Sequence, residues 1–281
     1  MPRTLMLATD LGHRSDRALD RAATLARAWQ ARLLVVHVLE GGTQRRADLP
    51  SWRRVSDPLT AARRRVQRDL GTTQDLALEV IVERGDPDTL LADLAVQYQV
   101  DLLVCGVARD EALGRLLLGS TVEGVVKRLP APLLVVKRRP HGDYRRLVVA
   151  SDFTPSARAA AAVAATWWPQ AQLDLFHAFS LPFQGLLDDK TRAIEQARLR
   201  AMDECRRFLE EAPEVRYANT YCEHGEPAAL LSDLVEAREV DAVVVGTEGR
   251  RGLAGMVLGS VAQRVLDRVP VDVFVAPRVD A

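Results

Sequence analysis

Residues 83–95, ERGDPDTLLADLA, return as EHGEPAALLSDLV at 223–235, which is 140 positions later (223 against 83). The same shift relates LLVVHVL at 33–39 to LDLFHAF at 173–179, and RLPAPLLVV at 128–136 to RVPVDVFVA at 268–276. TLMLATD at 4–10 answers RLVVASD at 146–152 with a shift of 142 (146 against 4), so one short loop has lost two residues. Repeats in the same order over the whole chain mean a tandem duplication of one folding unit. The break falls in KRRPHGDYRR, 137–146, whose Pro-His-Gly-Asp core is turn-forming. Two domains are expected, 1–140 and 144–281, and the 281-residue length suits two of ordinary size.

Within a copy, short apolar runs alternate with helical patterns. In the first, strands are expected at 4–9, 32–39, 76–82, 101–106 and 132–137, with helices near 14–29, 58–70, 87–97 and 119–128. Ala18, Leu19, Ala22, Leu25, Ala26 and Trp29 recur at helical spacing. The strand runs are continuously apolar, as in strands buried on both faces. Strands of that kind alternating with helices specify a parallel sheet covered by helices on both sides. Each copy is therefore read as a doubly wound, five-stranded α/β domain. In such a sheet, with order 3-2-1-4-5, ligands bind where strands 1 and 4 diverge at their carboxyl ends.

That position is occupied in the second copy by VVVGTEGRRGLAGMVLGSVA, 243–262, with spacing Gly246-x2-Gly249-x9-Gly259-Ser260. Glycines after a strand let the backbone turn tightly and approach a ligand. A helix opening at Ser260 offers free N–H groups to an anion, so the loop reads as a phosphate seat. Asp152, after strand 1, presents a carboxylate that accepts from an adenine amino group or a ribose hydroxyl. Neither GxxxxGK[ST] nor GxGxxG occurs. The first copy, LVCGVARDEALGRLLLGSTV at 103–122, keeps Asp10, Gly106, Gly119 and Ser120, but Arg109 stands where a second glycine would. An arginine there fills the site or lends its guanidinium to phosphate. The penalty on a non-glycine at positive φ favours loss, so this copy is expected to be a degenerate site.

On these residues the chain resembles the universal stress protein family in its tandem form, over both halves almost end to end. Nucleotide-binding members carry G-x2-G-x9-G-[ST] after strand 4 and an Asp closing strand 1. The resemblance implies a Rossmann-like fold of the adenine nucleotide alpha hydrolase kind, binding ATP with Mg²⁺ in the second half. Its implied contacts are Asp152, Gly246, Gly249, Gly259 and Ser260, then Val261 beside the phosphate serine and the backbone near Ala178 along the adenine. It also implies a regulatory stress-response role and pairing of the two halves through strand 5 as a pseudo-dimer within the chain. Further homodimerisation would use Trp52, Trp167 and Trp168, and protein partners are unspecified.

Two other readings stand beside this one. Arg250 and Arg251 could support slow ATP turnover, but no loop lysine, acidic metal-holding pair or general base accompanies them, and no catalytic residue is assigned. A scaffold without nucleotide is the other, and the intact motif of the second half speaks against it. His37 and His177, equivalent at the end of strand 2, read as structural histidines satisfied by hydrogen bonds. Cys222 and His224 could be half a zinc site, perhaps with Cys205, but a fourth ligand is not evident, and no metal site is assigned. The 38 basic and 38 acidic side chains balance, which speaks against a nucleic-acid partner. The Arg-rich AARRRVQR at 61–68 reads as the solvated face of a helix. Three cysteines without CxxC spacing fit a reducing compartment, and the most apolar stretch, 159–168, is too short to span a bilayer. A soluble, cytoplasmic protein is expected.

Overall fold

The structure is a computed structural model describing residues 3–11, 16–40, 57–70, 75–110, 115–117, 124–126, 128–129, 131–181, 189–211, 215–247 and 258–276. The chain divides into two compact units, 1–109 with 117–143, and 110–116 with 144–281.

The first unit runs β1 (Thr4–Ala8), α1 (Asp16–Trp29), β2 (Arg32–Leu39), α2 (Pro58–Asp69), β3 (Leu78–Arg84), α3 (Pro87–Gln97) and β4 (Leu102–Gly106). The short strands β5 (Ala108–Asp110) and β6 (Arg115–Leu117) follow in the chain outside this sheet, and β7 (Leu133–Val136) returns to it. The strand order is β7-β4-β1-β2-β3, all parallel. The second unit repeats the plan: β8 (Arg146–Ala150), α4 (Pro155–Trp167), β9 (Gln172–Phe179), α5 (Lys190–Glu210), β10 (Tyr217–His224), α6 (Pro227–Ala237), β11 (Ala242–Gly246), α7 (Ser260–Arg268) and β12 (Asp272–Ala276). Its order is β10-β9-β8-β11-β12, again parallel. The doubly wound order expected from the alternating pattern is the observed one in both units.

The cores follow from the sequence pattern. Leu5, Met6 and Leu7 of β1, and Leu147, Val148 and Val149 of β8, are buried on both faces of their sheets. Helix α1 turns Ala18, Ala22, Leu25 and Ala26 inward, while α4 does so with Ala157, Ala160, Ala161 and Ala164. Small side chains at that stripe let α4 lie close on its sheet. Helix starts are signalled chemically: Asp57, Asp86 and Thr154 cap helices whose first turn holds a proline. At the amino ends, Asp101 accepts from the Thr4 N–H at 2.7 Å, and its counterpart Asp241 accepts from Arg145 and Arg146 at 2.7 and 2.9 Å. Each aspartate registers the fourth strand of its unit against the first.

Three expectations shift. Strand β3 begins at Leu78 and runs to Arg84, two residues beyond the expected 76–82, because Leu78 is the residue in register with Leu33 of β2. Of the helix expected at 119–128, only 124–126 falls among the described helical residues. Trp168 is a core residue, packed edge-on against Phe274 at 5.3 Å and Tyr144 at 5.3 Å, so it does not serve as a surface contact. Trp52 lies outside the described residues. No described helix is long and apolar enough to cross a membrane.

Candidate functional site

The strands β8 and β11 are neighbours, and the chain leaves them on opposite routes at their carboxyl ends. After Ala150 the backbone makes a compact turn, Ser151-Asp152-Phe153-Thr154. The Ser151 N–H donates to the Phe176 carbonyl of β9 at 2.9 Å. The Ser151 hydroxyl accepts from the Phe153 N–H at 2.9 Å, and Phe153 takes the left-handed conformation with φ 64°. A branched or bulky residue enters that region at a cost of roughly 1 kcal/mol. Here the Phe153 ring stacks on His177 with centroids 4.3 Å apart, and His177 donates Nδ1–H to the Ser151 carbonyl at 2.8 Å. A carbonyl only accepts, which fixes the proton on Nδ1.

Asp152 is held by Thr154, two residues on in the turn. Its Oδ1 accepts from the Thr154 N–H at 3.2 Å and from the Thr154 hydroxyl at 2.7 Å. The Thr154 Oγ1 in turn accepts from the Ala157 N–H at 3.3 Å and so caps α4. One threonine therefore both starts the helix and orients the carboxylate.

On the other side of the divide, β11 ends at Gly246. A Cβ at that residue would lie 2.6 Å from the Ser156 Oγ and 3.1 Å from the Ser156 carbonyl carbon and oxygen. The glycine is thus required by the first turn of α4, which lies on the end of β11. The Ser156 hydroxyl is buried there without a hydrogen-bond partner among the described residues. Thr247 follows, and its carbonyl accepts from the Gly259 N–H at 3.0 Å. That bond returns the chain to the end of β11 just as α7 begins.

Gly259 is the N-cap of α7, with φ −57° and ψ 143°, and among the described residues no side chain caps the helix. The described caps of α2, α3, α4, α5 and α6 all use a side-chain oxygen. The first N–H groups of α7 therefore keep their capacity to meet an anion, reinforced by the helix dipole. Ser260 is exposed and so is Val261. The helix is braced from behind by Arg264 and Arg268, which reach Glu226 at 3.1 and 3.5 Å. Burial raises the Glu226 carboxyl, but the Ala229 and Ala228 N–H groups, then Arg268 and Arg264, outweigh it and leave it below the ordinary carboxylate value.

The structure thus brings together Asp152, Gly246, Gly259, Ser260 and Val261 at one end of the second sheet, with Ala178 on the neighbouring β9, two residues past Phe176. Gly249 lies outside the described residues, as do Arg250 and Arg251. In the first unit the strand-end turn is the same: the Thr9 hydroxyl accepts from Leu11 N–H at 3.1 Å, Leu11 has φ 60°, and His37 donates to the Thr9 carbonyl at 2.8 Å. Both histidines are structural, as their sequence context indicates. Asp10 is exposed, Gly106 ends β4, and Arg109 falls on β5. Gly119 and Ser120 lie outside the described residues. Just before Gly106, burial pushes the Cys105 thiol up to about 12, which removes it as a nucleophile. Among the described residues no three His, Cys, Asp or Glu side chains gather as metal ligands.

Sequence reading missed Thr154, Ser156 and the Phe153–His177 stack. The Thr-Pro pair at 154–155 is the signal that could have marked a helix cap immediately after Asp152.

Two parallel, doubly wound units, the second with a helix opening at Gly259-Ser260 after its fourth strand, define the class. The profile of the Universal stress protein family matches residues 1–137 and again 143–277, so the chain belongs to that family, with both halves contributing a domain match. The universal stress protein Rv2005c of Mycobacterium tuberculosis is 27% identical over 287 residues, spanning 93% of this chain and 92% of that protein. A universal stress protein of Thermus aquaticus is 31% identical over 146 residues, spanning 49% of this chain and all 100% of its own. Among solved structures, a universal stress protein from Archaeoglobus fulgidus superposes with a TM-score of 0.69 at 20% identity, covering 99% of this chain and 97% of that one. A functionally unknown protein of Pseudomonas aeruginosa PAO1 gives 0.68 at 19% identity, covering 98% and 92%. The last two establish shared fold.

Proposed function

We propose that the second unit binds an adenine nucleotide, ATP with Mg²⁺ on its phosphates, and that occupancy of this site regulates the protein in a stress response. The observation that carries the reading is the start of α7. Its N-terminus has no side-chain cap among the described residues, opens at the carboxyl end of β11, and sits in the same sheet end as the Asp152 turn. An N-terminus of this kind suits phosphate oxygens, with Ser260 adding a hydroxyl. Asp152, oriented by Thr154, suits the adenosine end, and the backbone by Ala178 flanks it. Bound Mg²⁺ would be held chiefly by the phosphates and would neutralise their charge. The first unit, with Arg109 in place of a glycine, serves as a structural copy. A ligand of this site would shift the protein's state by as much as its affinity differs between the states it binds.

The phosphate end is tested by calorimetric titration of Mg²⁺-ATP into wild type, Ser260→Ala and Gly259→Asp. An aspartate at 259 fits the observed N-cap backbone and would itself accept from the first N–H groups of α7. Gly259→Asp should therefore abolish ATP binding while leaving the thermal midpoint unchanged or higher, and Ser260→Ala should weaken binding about tenfold. ATP affinity unaltered in Gly259→Asp would refute the seat.

A further inference from the structure

Helix α5 turns Ala201, Cys205 and Phe208 inward, yet its Leu199 and Met202 are 59% and 51% exposed. Three residues apart, they are neighbours on the helix surface. Glu195 lies four residues before Leu199 and Arg206 four after Met202, so the four form one stripe about 16 Å long. All four are exposed. The fold does not require this stripe. Helix α2 takes the same place in the first unit, between the second and third strands, and buries Ala62 and Val66 where α5 buries Ala201 and Cys205. That match is a shift of 139 (201 against 62), and it gives Leu199, Met202 and Arg206 the exposed polar counterparts Thr60, Arg63 and Gln67. Glu195 lies in the length that α5 adds ahead of the point where α2 begins.

We propose that this stripe is a self-association surface, on which α5 of a second copy of the chain packs antiparallel about a twofold axis midway between Leu199 and Met202. The axis sets Leu199 of each copy against Met202 of the other. It also sets Glu195 against Arg206, since each lies four residues outside that pair. The contact is then apolar at its centre and closed at both ends by opposite charges. A parallel arrangement would set Glu195 against Glu195 and Arg206 against Arg206, which repel. Arg206 pairs with Asp203 at 3.3 Å on its own helix, and the several N–H donors of a guanidinium leave others for a facing carboxylate. A foreign apolar segment would cover Leu199 and Met202 as well, but a second copy brings the matching charge order with it. A contact about three turns long buries less than the roughly 1,200 Å² of a standard stable interface, so the dimer is weak and concentration-dependent.

The test is sedimentation velocity on the full chain from about 1 to about 500 µM, the range in which a contact of this size associates. The sedimentation coefficient of the wild type should rise with concentration towards that of a dimer. Leu199→Thr/Met202→Arg installs the residues that α2 carries, and it should stay monomeric with an unchanged thermal midpoint. Glu195→Arg should weaken association about tenfold, because two like-charge pairs replace two opposite ones. Adding Arg206→Glu to that variant should restore association, since the swapped charges again meet as opposites. A wild type that stays monomeric over the whole range overturns the proposal. So does association that survives Leu199→Thr/Met202→Arg, or a Glu195→Arg/Arg206→Glu chain that associates no better than Glu195→Arg.

Discussion

Gly246→Ala separates two reasons for a glycine at the end of β11. The residue does not have positive φ, so alanine costs nothing in backbone conformation there. If the position were open, the change would stabilise the protein by about 0.4–1 kcal/mol through the unfolded chain. The new methyl instead meets the Ser156 Oγ at 2.6 Å and the Ser156 carbonyl group at 3.1 Å. The hydroxyl cannot swing away cheaply because it is buried, and the carbonyl moves only with the first turn of α4. Overpacking of this kind costs about 1–3 kcal/mol, which outweighs the unfolded-state gain and leaves a net loss of about 1–2 kcal/mol. Urea unfolding followed by circular dichroism should show it as a lower midpoint at unchanged slope. Ser156→Ala removes the closest contact and strands no partner, since the hydroxyl has none among the described residues. The double variant should therefore recover about 1 kcal/mol relative to the sum of the single changes. A Gly246→Ala protein as stable as wild type, or additivity in the cycle, would refute the argument and return the glycine to a ligand-access role.

Thr154→Ala removes both the cap of α4 and the bond that orients Asp152, so it should cost about 1–2 kcal/mol in urea unfolding and weaken ATP binding as well. His177→Phe keeps a ring against Phe153 but leaves the buried Ser151 carbonyl without its donor, a loss of about 1–3 kcal/mol checked by the same assay. Glu226 has a lowered folded-state value, so its contribution is present above the ordinary carboxylate range and is lost as pH falls through the folded value. Thermal midpoints measured on acidification should therefore fall less steeply in Glu226→Gln than in wild type.

Much of this fold is written in the repeats. The two-unit division, the parallel order and the helix opening at Ser260 all follow from apolar runs, their spacing and a Gly-Ser pair. Where the reading drifted, local signals were weak or tertiary contacts decided. The start of β3 is set by pairing of Leu78 with Leu33, which no local pattern reports. Trp168 looks like a surface aromatic after the alanine run, yet the chain bends at the end of α4 and seats it on Phe274. Gly246 was legible as a necessary glycine, but the neighbour that makes it necessary, Ser156, comes from a helix 90 residues earlier (246 against 156).

The central claim is that nucleotide binds once per chain, at the Asp152 end of the second sheet and not at its counterpart in the first. Calorimetric stoichiometry of Mg²⁺-ATP on wild type, Asp152→Asn and Asp10→Asn tests it most directly. One site per chain is expected, at least tenfold weaker in Asp152→Asn and unchanged in Asp10→Asn. Two sites, no binding by the folded wild type, or loss of binding in Asp10→Asn would contradict it.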